Sequence, residues 1–135
     1  MNRRCEETYP MDKIILSSGK LPVSGPYSIA VETSGLIFLS GQLPINPSTG
    51  EVIMAIEPAT RQVMVNLQTV LEENGLSLSR VVKTTIFLKS MADFAVVNAI
   101  YAGFFPDAPP ARSTVEVSGL PKGAPLEIEA VAVRR

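Results

Sequence analysis

The residues of this chain that could do chemistry are concentrated in its last third. Arg112, Glu127 and Glu129 stand there among small and apolar residues, in two strand-like runs. A guanidinium is a rigid fork of donors that can hold a carboxylate with two parallel hydrogen bonds. A carboxylate nearby could orient a water or carry a proton, so the residue types suggest a site for a small carboxylic acid. The alternative is an Arg–Glu cross-strand pair that only stabilises the sheet, and residue types alone favour that alternative.

The chain contains no histidine and a single cysteine, Cys5. A Ser–His or Cys–His nucleophile pair is therefore excluded, and so is a zinc site built from histidine and cysteine. No glycine-rich phosphate-binding motif is present. A carboxylate site for a hard cation stays open, although the sequence has no Asp/Asn-rich loop to form one. We therefore expect chemistry without metal or cofactor, carried by carboxylates, arginine, hydroxyls, backbone groups and water.

Composition limits the classes of partner. The 135 residues include 12 basic and 13 acidic side chains, and this near-neutral balance argues against a nucleic-acid partner. No apolar run approaches the ~18 residues of a membrane span, and the charged start is followed by no hydrophobic signal segment. We expect no membrane association and a cytoplasmic location. The mean hydropathy of +0.24 is high for a small soluble monomer and indicates subunit contacts.

Periodicity and turn signals predict the element order βββ-α-β-α-ββ in a single domain over residues 13–135. A disordered extension is expected over residues 1–12. The predicted strands are Lys13–Ser17, Ser28–Glu32, Leu36–Ser40, Arg80–Lys89, Ser113–Ser118 and Leu126–Val133, and the predicted helices are Pro58–Asn74 and Ser90–Phe105.

Three local patterns support these elements. In the first helix the predicted buried positions are Ala59, Val63, Leu67, Val70 and Leu71. The second helix follows a Ser90-x-x-Asp93 pattern that is typical of a capping box. In the fourth strand, alternation predicts a buried face formed by Val82, Thr84, Ile86 and Leu88.

This order is typical of an α+β fold in which two helices pack on one face of a mixed sheet. The last strand, Leu126–Val133, is partly apolar on both faces, so we expect both of its faces to be buried. Since only two helices are predicted, the second cover is expected to be another subunit.

Nine short stretches follow one another from about Lys20 to the C-terminus. They are Ser24–Ser28 (SGPYS), Phe38–Pro44 (FLSGQLP), Gly50–Val52 (GEV), Val82–Leu88 (VKTTIFL), Asp93–Phe94 (DF), Val97–Tyr101 (VNAIY), Ala111–Val117 (ARSTVEV), Leu120–Pro121 (LP) and Leu126–Ala130 (LEIEA). Any one of them occurs often by chance, whereas together they are a specific signal. In this order they resemble blocks of the RidA (YjgF, reactive intermediate deaminase) family.

The resemblance implies a chorismate-mutase-like fold of the bacillus type, assembled as a homotrimer whose sheets form a central barrel. The ligand clefts would lie between subunits. It also implies hydrolytic deamination of 2-iminopropanoate, 2-iminobutanoate and enamine tautomers such as 2-aminoacrylate, with a 2-keto acid and ammonia as products. Such imines are already electrophilic once protonated, so this chemistry requires neither a metal nor a strong nucleophile.

The resemblance assigns the two principal roles. Arg112 would clamp the substrate carboxylate, and Glu127 would lie near the catalytic water. Glu129 is two residues further on and lies on the same face of an ideal strand, so spacing alone does not choose between the glutamates. The family pattern favours Glu127 and leaves Glu129 as a sheet or interface ion pair.

Five further positions are candidate substrate-binding residues. Tyr27 would close over the ligand, or else pack on the rim of its loop. Ser40 and Gly41 would offer a hydroxyl and a backbone N–H at a strand end, or else serve only the turn. Asn98 would contact the ligand, or else cap or satisfy the core. Thr114 stands where many relatives have cysteine, which argues against a thiol mechanism.

Two other function classes remain. One is a non-catalytic trimer that binds a keto acid or an amino acid. The presence of both Arg112 and Glu127 favours a catalyst over this binding protein. The other is an RNA-cleaving or translation-inhibiting protein, and the near-neutral charge and missing histidine argue against it.

Overall fold

The structure is a computed structural model that describes residues 12–135. Predictions for residues 1–11, including Cys5, lie outside the described residues, and the domain boundary at residue 13 stays a prediction. The elements are β1 (Ile14–Leu16), β2 (Ala30–Thr33), β3 (Leu36–Gln42), α1 (Ile56–Glu73), β4 (Val81–Leu88), α2 (Phe94–Phe104), β5 (Ala111–Glu116) and β6 (Leu126–Val133). Their order is the predicted one.

The strands form one mixed sheet in the order β1-β2-β3-β6-β4-β5. Within residues 12–135, β4 and β5 are the one pair that runs in parallel, with α2 as the crossover between them. The last strand, β6, pairs with both β3 and β4. It therefore lies inside the sheet, where its side chains on both faces have neighbours on two strands.

Helix α1 confirms the predicted buried stripe. Its five predicted core positions are all buried, and the helix ends before Gly75, whose φ of 78° is left-handed. The helix begins at Ile56, two residues before the predicted start at Pro58. Proline is tolerated there because the N–H groups of a first turn have no partner within the helix.

Helix α2 begins at Phe94, after a 3-10 turn at Met91–Asp93. The predicted capping box is wrong in its detail. The Ser90 hydroxyl accepts a hydrogen bond from the Ala92 N–H at 3.2 Å, so it caps the 3-10 turn and not α2.

The predicted buried face of β4 is wrong at its first residue. Val82 is 43% exposed, whereas Val81 is buried. The cause is a β-bulge, since Val81 pairs with Ala132 and Lys83 pairs with Val131, which leaves Val82 without a counterpart on β6. From Thr84 onward the predicted alternation is restored.

Both helices lie on the sheet face that carries the buried side chains of β4 and β6. Helix α1 contacts β3, β6 and α2, and α2 is joined to the sheet by Tyr101 and Thr84. The opposite face keeps apolar side chains open, including Phe38, which is 45% exposed, and Leu36. No helix within residues 12–135 is long and apolar enough to cross a membrane.

Candidate active site

Arg112 lies on the helix-covered face of the sheet. It pairs in register with Thr84 of β4, which is 1% exposed, and paired residues project to the same side. Its guanidinium carbon lies 5.0 Å from the centroid of the Tyr101 ring and 5.7 Å from that of Phe94. A cavity of about 420 Å³ adjoins it, and Asn98 lines the same cavity. Strand β5 begins at Ala111 and not at the predicted Ser113, so Arg112 is held inside the strand.

Tyr101 is a buried part of the Arg112 cavity. Its hydroxyl lies 2.6 Å from the hydroxyl of Thr84, and both residues are buried. Burial raises the pKa of Tyr101 above its ordinary value of 10.0. The phenol therefore stays protonated at neutral pH and acts as a neutral hydrogen-bonding group.

Glu127 projects to the other face of the sheet. Its neighbours in β6, Leu126 and Ile128, are fully buried on the helix side, and alternation places the carboxylate opposite them. Glu127 is partly buried and lines a cavity of about 530 Å³. Burial, reinforced by the negative charge of Glu129, raises the pKa of Glu127 above its ordinary value of 4.5. The carboxyl is thereby brought closer to the range of a general base.

A second β-bulge brings the backbone of β3 against Glu127. Leu39 pairs with Ala130 and Gln42 with Ile128, so β3 holds one residue more than β6 in this interval. Gly41 lies in the bulge, and a β-carbon on it would come within 2.8 Å of the Glu127 carboxyl carbon. The sequence prediction ended this strand at Ser40, whereas β3 continues through Gly41 to Gln42.

Ser40 and Tyr27 line the same cavity as Glu127. The Ser40 hydroxyl donates to the Ser28 carbonyl at 2.6 Å, so its proton is already used by the backbone. Tyr27 is 51% exposed, and its ring lies over Gly25, where a β-carbon would come within 2.7 Å of Cε2. An open tyrosine at the rim of the cavity has room to move over a ligand.

The structure therefore divides the predicted site residues between the two faces of the sheet. Arg112 and Asn98 share the cavity beside α2, whereas the Glu127 cavity also holds Tyr27, Ser40 and Gly41. Thr114 pairs with Ile86 and so lies on the Arg112 side. Its Oγ1 is buried and has no hydrogen-bond partner within residues 12–135. A single chain does not bring Arg112 and Glu127 into one cavity.

Sequence reasoning did not place three further residues at these cavities. Glu129, interpreted there as a sheet or interface ion pair, lines the same cavity as Glu127. Lys122 also lines that cavity. Its backbone is left-handed, with φ of 59°, and the flanking Pro121 and Gly123 are the sequence signal that could have indicated a turn there. The third, Tyr101, was named only as the last residue of the VNAIY stretch. Among the described residues no group of three or more Cys, His, Asp or Glu side chains could hold a metal ion.

Comparison with known proteins decides the family. The sequence model of the family described as Endoribonuclease L-PSP matches residues 17–134. The chain belongs to this family, RidA/YjgF. The resemblance predicted from the sequence is confirmed.

Relatives of known structure or name agree with the observed fold. The chain is 44% identical over 128 residues to the 2-iminobutanoate/2-iminopropanoate deaminase of Escherichia coli, covering 93% of this chain and 100% of that protein. It is similar to the crystal structure of the E. coli YjgF gene product, with a TM-score of 0.85, 44% identity, and coverage of 90% and 98%. The structure of E. coli TdcF with bound serine has a TM-score of 0.85 at 37% identity, covering 90% of this chain and 98% of that one. The α+β fold with a six-stranded mixed sheet and two helices is thus that of the RidA/YjgF family.

Proposed function

We propose that this protein hydrolyses the imines and enamines of small 2-keto acids, namely 2-iminopropanoate, 2-iminobutanoate and 2-aminoacrylate, to 2-keto acids and ammonia. The 44% identity to a protein named 2-iminobutanoate/2-iminopropanoate deaminase supports this activity. The side chains at hand also fit it, since Arg112 can bind a carboxylate and Glu127 is a partly buried carboxylate of raised pKa.

The site forms between two subunits in this proposal. The observation that carries it is the placement of Arg112 and Glu127 on opposite faces of one sheet. A partner chain can bring its own Glu127 cavity to the Arg112 of the first chain, whereas one chain cannot join the two. The proposed assembly is a chorismate-mutase-like homotrimer, in which the open apolar face around Phe38 and Leu36 lines a central barrel.

Substrate binding begins with the carboxylate. Arg112 holds it through two parallel hydrogen bonds and neutralises its charge, with Asn98 beside it. On the Glu127 side, Tyr27 closes over the substrate, and the backbone of Ser40 and Gly41 offers polar contacts. Thr114 adds a hydroxyl that lacks a partner within residues 12–135. Fixing the imine next to the carboxylate of Glu127 supplies most of the required acceleration through positioning.

The chemical step then needs one carboxylate and one water. The water oxygen forms a bond to the iminium carbon while Glu127 takes a proton from that water, and the product is a carbinolamine. Glu127 next transfers this proton to the amine nitrogen. The C–N bond breaks, ammonia leaves, and the carbinol oxygen loses its proton to the carboxylate and becomes the keto oxygen. None of these reaction steps needs a metal. We expect the reaction to proceed in the cytoplasm, where the lone cysteine stays reduced.

The decisive experiment couples the protein to a threonine dehydratase and follows the rate at which 2-ketobutanoate appears. The proposal predicts faster release with the protein than with buffer or with the Arg112→Ala variant, and equal acceleration in the presence of EDTA. No acceleration by the wild-type chain would contradict the proposal. Pyruvate or serine binding without turnover would instead support a non-catalytic binding trimer, which the bound serine of the TdcF structure favours as the second candidate.

A further inference from the structure

The guanidinium of Arg112 lies against two aromatic rings of helix α2. Its central carbon is 5.0 Å from the centroid of the Tyr101 ring and 5.7 Å from that of Phe94. In the part of the chain that the structure describes, this guanidinium takes part in no ion pair. Among the described residues, the two aromatic faces are therefore the contacts that can position this cation.

Tyr101 is the rigid half of the arrangement. It is 6% exposed, and its hydroxyl lies 2.6 Å from that of Thr84, which is 1% exposed. Its ring also packs against Phe105, with the ring centroids 4.9 Å apart. The ring cannot turn away from Arg112 without breaking a buried hydrogen bond and an aromatic contact.

A ring face and a carboxylate hold an arginine in different ways. The negative face of an aromatic ring attracts the cation and accepts no N–H hydrogen bond in the guanidinium plane. A structural carboxylate would occupy the same fork of donors that a substrate carboxylate needs. An arginine held by rings is therefore fixed in position while its charge and its donors stay available.

We propose that Tyr101 and Phe94 form an aromatic platform that positions Arg112 to receive the substrate carboxylate. Tyr101 contributes more, because its ring is closer, buried and anchored at its hydroxyl by Thr84. Phe94 is 37% exposed and forms the outer edge of the platform. Because the rings already restrain Arg112, its side chain loses less conformational entropy when the carboxylate binds. The inference rests on the proposed function, since it takes a carboxylate as the ligand of Arg112.

The test measures pyruvate binding to the full chain by calorimetry and imine turnover in the coupled assay. Tyr101→Leu removes the ring, whereas Tyr101→Phe keeps the ring and loses only the hydrogen bond to Thr84. Val97→Ala is the matched control, because it is buried on the same helix and does not line the Arg112 cavity. We expect Tyr101→Leu to weaken pyruvate binding about tenfold and to raise KM by a similar factor with little change in kcat. Tyr101→Phe should weaken pyruvate binding less than Tyr101→Leu does, because it keeps the ring and loses only the anchor to Thr84. Val97→Ala should bind pyruvate like the wild type, although both Tyr101→Phe and Val97→Ala lower the urea midpoint.

Phe94→Leu keeps the test decisive if Tyr101→Leu does not fold, because Phe94 is partly exposed. It should weaken pyruvate binding about threefold. Wild-type affinity in every folded ring variant would overturn the platform, and so would an equal loss of affinity in Val97→Ala. Arg112→Ala separates the two claims. If it binds pyruvate like the wild type, the proposed role of Arg112 and the platform are both wrong. If it abolishes binding while the ring variants do not weaken it, only the platform is wrong.

Discussion

Gly41 leaves the space that the carboxylate of Glu127 occupies: a β-carbon on Gly41 would lie 2.8 Å from the carboxyl carbon and 3.0 Å from Cγ. The glycine sits in a β-bulge opposite β6, so the close approach follows from the register of the two strands. The position of the proposed base therefore depends on a residue that has no side chain.

Gly41→Ala should lower imine turnover about tenfold or more, because the methyl group displaces the carboxylate from its water. The atoms that must move belong to the end of a flexible side chain, so the free energy of unfolding should change by no more than about 1 kcal/mol. Coupled turnover and urea denaturation measure the two effects. Gly103→Ala is the control, since among the described residues its added carbon meets no atom within 4 Å apart from the nearby backbone of its own helix. Equal turnover in the two variants would show that the Gly41 contact has no part in the reaction.

Glu127→Gln should reduce turnover by about 10²-fold, because glutamine keeps the size of the side chain but cannot take a proton. Pyruvate binding should change little, since Arg112 holds the carboxylate. Glu129→Gln is the matched variant on the same strand and in the same cavity, and its effect should be mild. A silent Glu127→Gln beside an inactive Glu129→Gln would mean that the wrong carboxylate has been assigned. Unchanged turnover in both variants would remove the general base from the mechanism.

Glu127 should also make stability depend on pH in an identifiable direction. Burial and Glu129 raise the pKa of Glu127 above 4.5 in the folded chain, so folding favours the protonated form of this carboxyl. The stability that the protonated Glu127 carboxyl contributes to the folded state is fully present below pH 4.5 and is lost as the pH rises through the folded pKa. Glu127→Gln, which cannot ionise, should therefore be more stable than the wild type at pH 7 and lose this advantage below pH 4.5. Urea titrations at several pH values measure the difference, and a difference that does not vary with pH would contradict the raised pKa.

The open apolar face of the sheet indicates that this protein assembles, and the mass of the assembly tests that prediction. Phe38, at 45% exposure, and Leu36 lie on the face that no helix of residues 12–135 covers. If this face lines the barrel of a homotrimer, light scattering should give about three times the chain mass of 14.5 kDa. Phe38→Lys should shift the protein toward smaller species, because it places a charge in the barrel. A stable wild-type monomer would remove the partner that the proposed site needs.

Much of the fold could be predicted because its signals are local. The buried stripe of α1, the order of the elements and the apolar character of β6 all follow from spacing within single segments. The bulges at Val82 and Gly41 could not be predicted in this way, because a bulge is a relation between two strands that lie far apart in the sequence.

The site was predictable in its residues but not in its arrangement. The family resemblance indicated Arg112 and Glu127, yet their separation onto two faces depends on the parallel pairing of Arg112 with Thr84. That pairing joins two strands that are separated in the sequence by the whole of α2, and no local pattern encodes it. Tyr101 was missed for the same reason, because its ring meets Arg112 only after β5 has paired with β4.

Mixing two inactive variants tests the inter-subunit site most directly. Arg112→Ala and Glu127→Gln are unfolded together in equal amounts, refolded, and assayed for imine turnover, with each variant refolded alone as the control. If each cleft takes Arg112 from one subunit and Glu127 from its neighbour, random assembly restores both side chains in about a quarter of the clefts. The account predicts recovery of about a quarter of the wild-type rate in the mixture, and no more than about one hundredth of it in either variant alone. If the mixture forms mixed trimers and stays inactive, the two residues do not act across a subunit boundary, and the proposed site is wrong.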